Sequence, residues 1–291
     1  MGEIARSDRH HGFWAGSPDL APLLEATERM TDFVLARLGV GHGSRVLDVG
    51  CGDGRPAVRL ARTLGARVVA IDIDRQALRE GAEHAAAHGV EEMVRFRRVD
   101  ATDLPFADAS FDAVLAFEVT PHLDIATLYG RLARVLRPEG RLVVETPYPR
   151  VPMTEEIRER VGSRLAMPNA ASLETPEDHL SAARRAGMAV TELVDVTEDV
   201  RDSFSPLTRG PREHGTRPDT GRGTSGTVRA PGTAQIPGTV QTPGTAQIPG
   251  TAQIPGTAQI PGTARTLGAF AAWADIAEVG GVVMTFTRME H

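Results

Sequence analysis

The apolar residues of the chain fall into two rhythms that alternate between residues 20 and 196. A helical spacing runs through Leu23, Leu24, Met30, Phe33, Val34 and Leu38, so that one face of a 3.6-residue turn collects the apolar side chains. A continuous apolar run follows at 46–49, then helical spacing at 56–64, a run at 68–71 and helical spacing at 75–88. Strands are predicted next at 94–99 and 111–117, a helix at 126–136, a strand at 141–145, a further helix pair and a strand at 188–196. Runs this short, continuously apolar and separated by helices are what a parallel sheet covered on both faces requires. The expected fold class is therefore α/β, an open sheet with helices on both sides. A last strand at 281–288 belongs to the same sheet only if the 188–196 strand is its neighbour.

Between those two strands the rhythm stops. Residues 205–269 hold 12 of the 30 Gly and 9 of the 20 Pro, 21 of 65 positions, a share above the roughly 25–30% of low-complexity segments. From Pro231 a six-residue unit, PGTAQI, recurs at Pro237 (as PGTVQT), Pro243, Pro249 and Pro255. With one Ile or Thr per unit as its only periodic bulk, it cannot bury enough surface to offset chain entropy. Stacking into a hexapeptide β-helix would need about three coils, and five units supply fewer than two. The expected organisation is a first domain part at 1–204, a disordered Pro/Gly-rich insertion at 205–269 and a closing strand segment at 270–291. The repeat could serve a partner as an extended peptide, a weak signal.

Composition removes several chemistries. All 32 basic residues are Arg, which excludes lysine Schiff bases and the lysine-dependent phosphate loop. Cys51 is the only cysteine, so no intrachain disulfide or multi-cysteine metal site can form. A reducing cytoplasm is the expected location, since the first eleven residues lack a signal-length apolar run and no later run approaches a ~20-residue membrane span. The net charge of −6 splits into +4 over 205–269 and −10 elsewhere. An acidic body predicts no nucleic-acid partner.

The chemistry-bearing segment is Val-Leu-Asp-Val-Gly-Cys-Gly-Asp-Gly at 46–54. Three glycines at alternate positions sit at the carboxyl end of the first strand, just before a helix, where they permit positive φ and close backbone approach to a ligand. In a dinucleotide-binding turn the third Gly would fall one residue later, at Arg55, which disfavours a nicotinamide-dependent dehydrogenase. Asp72 stands about 20 residues on, where a carboxylate binds ribose hydroxyls, and Asp100 follows the third strand, where it could accept from an exocyclic amine. The plain alternative for any Asp is a helix cap or turn residue, and Asp74 and Asp103 are read that way. Asp48, Asp72 and Asp100 together, all at strand carboxyl ends, are read as ligand-facing.

These residues resemble the class I S-adenosylmethionine-dependent methyltransferases. VLDVGCGDG is similar to their first motif, AIDID to the ribose-binding acid, VDATDLPF to the adenine-contacting segment, and FDAVLAFE and LARVLRPEGRLVVE to the fourth and fifth strands. HGFW at 11–14, GRPAVRLA at 54–61, AGMAVTELVDVTEDV at 186–200 and WADIAEVGGVVMTFTR at 273–288 resemble more narrowly bacterial methyltransferases of secondary metabolism. The resemblance implies a Rossmann-like sheet of seven strands with the last antiparallel, inserted beside the sixth, and S-adenosylmethionine as cofactor. It implies cofactor contacts from Asp48, Gly50, Cys51, Gly52, Gly54, Asp72, Ile73, Asp100, Ala101 and Phe117. It implies a small-molecule acceptor, a hydroxyl of a secondary metabolite, with quinone, amine or isoprenoid carbon acceptors as the related branches.

Methyl transfer is an in-line displacement at a sulfonium carbon and calls for alignment and water exclusion rather than a metal. An alcohol nucleophile must lose a proton, and His122, after the fourth strand, is the candidate base; the resemblance sets it beside a catalytic His of sugar O-methyltransferases. In those relatives a carboxylate ends strand five, but here Thr146 takes that place and Glu145 comes one residue earlier, on the other face unless the strand bulges. Phe13 and Trp14 match a lid over the cofactor, and Glu118 and Tyr148 are assigned to the substrate side. A methyltransferase-like protein with impaired activity is the competing reading, because the insertion falls where relatives carry substrate-contacting helix.

Overall fold

A computed structural model describes residues 23–165, 173–201 and 277–290. The chain runs α1 (Leu23–Leu35), β1 (Arg45–Val49), α2 (Arg55–Leu64), β2 (Arg67–Asp72), α3 (Arg75–Ala87), β3 (Val94–Arg98) and β4 (Phe111–Phe117). A 3-10 turn (Thr120–His122), α4 (Ile125–Val135), β5 (Leu136–Pro149), α5 (Glu155–Leu165), α6 (Pro176–Arg185), β6 (Met188–Asp195), α7 (Thr197–Arg201) and β7 (Val279–Arg288) follow. The seven strands form one sheet in the order β3-β2-β1-β4-β5-β7-β6. β1 to β5 pair in parallel, and β7 runs antiparallel to both β5 and β6. The expected Rossmann-like methyltransferase sheet, with its last strand antiparallel and next to the sixth, is what the chain adopts. The insertion expected at 205–269 lies outside the described residues.

Side-chain alternation along each strand splits the core into two layers. One face carries Val46, Val68, Leu115 and Val143 against Met30 and Val34 of α1, Leu60 of α2 and Leu78 of α3. The other carries Leu47, Ile71, Val114, Val144 and Phe286 against Leu128 and Leu132 of α4 and Ala182 of α6. Fully burying a Leu or Val is worth roughly 1.5–3 kcal/mol, so these facing rows hold the helices in place. Local signals set the helix ends. Asp74 accepts from the N–H groups of Gln76 and Ala77 to cap α3, as expected of it, Asp124 caps α4 through Thr127, and Thr175 with Asp178 forms a reciprocal capping box on α6.

The order of the strands decides where a ligand can sit. From β1 the chain steps outward through β2 to β3 and then returns to the other side of β1 with β4 and β5. The helices after β1 and β4 therefore diverge, and a crevice opens outside the carboxyl ends of these two strands. No helix among the described residues is long and apolar enough to cross a membrane.

Candidate cofactor cleft and the neighbouring turn

That crevice is a cleft of about 530 Å³, within the range of small-molecule sites. Its wall comes from β1 and the glycine loop (Asp48, Gly50, Cys51, Gly52, Asp53), from the end of β2 (Ile71, Asp72, Ile73), from Asp100 and Ala101 beyond β3, and from Phe117, Glu118, Val119, His122 and Leu123 beyond β4. Ten of the sequence-predicted positions thus meet at one place besides His122. Pro56, Val99, Val119 and Leu123 also line it and were not foreseen. Pro56 was legible as the first turn of α2, but nothing in the sequence says that its ring faces the cleft.

The loop owes its shape to backbone hydrogen bonds. Gly50 and Cys51 both donate to the carbonyl of Ile71 on β2, and Gly50, Gly52 and Gly54 take φ of 69°, 52° and 72°, the region that favours glycine. At Gly50 space is also closed, since a Cβ there would lie 2.5 Å from Cγ2 of Val119. Gly54, expected among the cofactor contacts, is not in the described cleft wall. It caps α2, and its missing side chain makes room for the Phe96 ring, 2.4 Å from where a Cβ would stand.

Of the carboxylates in the wall, Asp48, Asp72 and Asp100 are in different states. Asp72 accepts from the Gly52 N–H and the Asp74 N–H, each at 2.9 Å, and so ties the glycine loop to the start of α3. Asp100 takes the N–H and hydroxyl of Thr102 on one oxygen. These bonds hold it below the ordinary carboxylate range and leave its other oxygen its full accepting capacity. Asp48 is 1% exposed, and its Oδ2 has no hydrogen-bond partner among the described residues. Burial, with the Asp72 charge beside it, pushes Asp48 up to about 7. Burial likewise pushes the Cys51 thiol far up, so it is an inert wall element. Ile73 is 66% exposed, an apolar surface presented at the cleft between Asp72 and Asp100.

The segment after β4 is clamped on three sides. Glu118 adopts φ 51°, unusual for a side-chain-bearing residue, and its N–H donates to the Glu145 carbonyl. Val119 fills the space left at Gly50. The buried hydroxyls of Thr120 and Thr146 stand 2.6 Å apart, and because Thr146 donates to the Pro147 carbonyl, Thr120 is the donor between them. His122 closes the 3-10 turn that begins at Thr120, exposed at the cleft wall.

Two further predicted positions, Glu145 and Tyr148, are described but do not line the cleft. Glu145 is fully buried and pairs with Phe117 on β4 and Val283 on β7 in unbroken register. The β4–β5 irregularity sits at the opposite strand end, at Phe111/Ala113, so Glu145 keeps to the face opposite Thr146 and does not line the cleft. The Tyr148 hydroxyl donates to Asp195 at 2.8 Å, outside the cleft lining. Phe13 and Trp14 lie outside the described residues.

The donor and acceptor set suits a ligand with positive charge, a hydroxyl-bearing ring and a flat amino-substituted ring: an orphaned buried carboxylate oxygen, two further carboxylates and an apolar plate. Similarity to known proteins points the same way. Residues 47–144 match the family model described as a methyltransferase domain. The chain is 38% identical over 193 residues to the methyltransferase GfsG of Streptomyces halstedii, covering 66% of this chain and 69% of that protein. It is 36% identical over 203 residues to the 27-O-demethylrifamycin SV methyltransferase of Amycolatopsis mediterranei, covering 67% and 72%. Among solved structures, geranyl diphosphate C-methyltransferase from Streptomyces coelicolor A3(2), in complex with Mg2+, geranyl diphosphate and S-adenosyl-L-homocysteine, superposes with a TM-score of 0.69 at 18% identity over 98% of this chain and 92% of that one. With its sheet order, its glycine loop and these relatives, the chain belongs to the class I methyltransferases, enzymes whose cofactor is S-adenosylmethionine.

Proposed function

We propose that the enzyme methylates a hydroxyl group of a small secondary metabolite, with His122 as the base that takes the hydroxyl proton and with no metal in the step. The observation that carries this reading is an imidazole at the cleft wall, on a turn fixed by the Thr120–Thr146 bond and by Val119 against Gly50. The relatives named above, one of them acting on an oxygen of demethylrifamycin SV, support a natural-product acceptor. Bound S-adenosylmethionine supplies a methyl group on a cationic sulfur, open to displacement from the side opposite that sulfur. In this reading Asp72 holds the ribose hydroxyls, Asp100 the adenine amine, Ile73 and Ala101 the adenine faces, and the glycine loop the amino-acid end.

The chain's remaining task is alignment. Phe117, Val119 and Leu123 exclude water from the acceptor side, and His122 accepts a proton as the oxygen commits its electron pair. Incubation with radiolabelled S-adenosylmethionine and a panel of hydroxylated macrolactones and ansamycins, demethylrifamycin SV included, tests the reading. We expect label on an acceptor oxygen, and at least a tenfold loss of turnover in His122→Ala with the affinity for S-adenosylhomocysteine unchanged. Label on carbon or nitrogen, or full turnover in the variant, would overturn it.

A further inference from the structure

The described wall of the cleft is rich in carboxylates. Among the described residues five carboxylates line it, Asp48, Asp53, Asp72, Asp100 and Glu118, and no Arg does. The Arg55 side chain at the start of α2 is paired with Asp53. Asp72 and Asp100 are each satisfied by backbone or hydroxyl donors. Asp48 differs from both. It is walled in by β2 and β4 on either side, and its Oδ2 is buried without a donor among the described residues. A bare carboxylate in that position would be unpaired, desolvated and next to a second negative charge, which costs several kcal/mol. The arrangement is stable in one of two ways, with a proton on Asp48 or with a cation in the cleft.

Resting on the assignment of this cleft to S-adenosylmethionine, we propose that Asp48 is its receptor for positive charge, protonated while no ligand is bound and releasing that proton to solvent when the cationic cofactor docks. The carboxylic acid becomes a carboxylate, the cofactor's positive charge takes the proton's place, and one proton leaves per cofactor taken up. The groups around Asp48 work in the same direction. Asp72, on β2 beside it, adds a negative charge that raises the cost of ionising Asp48 alone. The Cys51 thiol stays neutral, Glu145 lies on the same sheet face two strands away, and among the described residues His122 is the single cationisable group in the wall. Burial and the Asp72 charge bring the Asp48 titration to about 7, so the exchange falls within the physiological range. The cleft is thereby selective for charge: a neutral ligand of the same shape leaves the proton in place and Asp48 without its counter-ion.

Calorimetric titration of S-adenosylmethionine into the protein, without acceptor and in buffers of different ionisation enthalpy, measures the proton directly. We expect release of about one proton per site at pH 6.0 and a binding constant about eightfold tighter at pH 6.5 than at pH 5.5, levelling off above pH 7.5. In Asp48→Asn the release disappears and the affinity becomes weaker and independent of pH over this range. His122→Gln, which leaves Asp48 in place, keeps the release. Binding without proton release in the natural sequence overturns the proposal and leaves the cofactor site intact, as does a release that persists in Asp48→Asn or vanishes in His122→Gln. Absence of binding by the folded natural protein overturns the cofactor assignment together with the proposal.

Discussion

At Gly50 two constraints coincide, a φ of 69° and a neighbour 2.5 Å from where a Cβ would stand. Gly50→Ala is expected to cost about 2–4 kcal/mol, from left-handed strain and from overpacking against Val119. Val119→Ala in the same chain should recover part of the loss, so that urea denaturation of the two singles and the double reveals a coupling of roughly 1 kcal/mol or more. A second residue-scale test lies on the far side of the sheet. His179 is 1% exposed, and its Nδ1 stands 3.0 Å from the hydroxyl of the buried Tyr129, whose ring also meets Phe286 edge-on. Burial lowers His179 from 6.5 to about 4. A depressed histidine binds fewer protons folded than unfolded, so its contribution is complete above pH 6.5 and is lost as pH falls toward 4, to the extent of about 3 kcal/mol. Unfolding of the natural protein against His179→Gln should therefore show a stability difference that shrinks from pH 7 to pH 4.5; a constant difference would refute it. Single acids at strand ends were readable in the sequence because the α/β rule fixes where such ends point. The Tyr129–His179 pair was not, because 50 residues separate partners that meet only when α4 and α6 pack.

Among the elements, the turn after β4 depends most on tertiary context. Its sequence, Val-Thr-Pro-His, reads as a loop, and its conformation is fixed from outside by Gly50, by the Glu145 carbonyl and by Thr146. Thr146→Val removes the acceptor of a buried hydroxyl and should cost about 1–3 kcal/mol, and the Thr120→Val/Thr146→Val double should cost less than the sum of the singles, since no hydroxyl is then left stranded. Thermal melting of the three variants measures this without an acceptor substrate. β5 shows where patterns mislead. Arg-Pro-Glu-Gly at 137–140 reads as a turn, and a strand was expected only over 141–145. The strand instead begins at Leu136 and runs to Pro149, passing the Pro-Glu-Gly stretch through a register shift against β4 with Glu139 at φ 62°. An irregularity of that kind leaves no period-two signature.

Across the whole molecule, the separation of β6 from β7 in sequence contrasts with their intimacy in space. The Val196 N–H donates to the Gly281 carbonyl, and the Thr197 hydroxyl accepts from the Gly281 N–H, so the chain leaves the sheet after α7 close to where it returns. Because the entropy of closing a loop grows only slowly with its length, removal of residues 210–264 is expected to leave the melting temperature within a few degrees. A collapse of the transition would show that the PGTAQI repeats contribute to the fold. The strand pairing that makes this prediction possible was foreseen only as a condition, that the final strand needs the 188–196 strand beside it; its antiparallel sense came from the family resemblance, and no apolar pattern says which flank of that strand it takes.

The position of β7 also bears on how the protein is made. Among the described strands β7 is the sole partner of β6, and it covers one edge of β5, yet 83 residues intervene between Asp195 and Val279. At a ribosomal rate of about 5–20 residues per second the interval lasts roughly 4–17 s. Through that time β6 has emerged without a partner and β5 presents an open, apolar edge, the state in which strands recruit neighbouring chains. The nascent polypeptide is thus at its most vulnerable to aggregation while the segment between β6 and β7 is being made, and holding by a chaperone during those seconds would matter more for yield than the stability of the finished sheet.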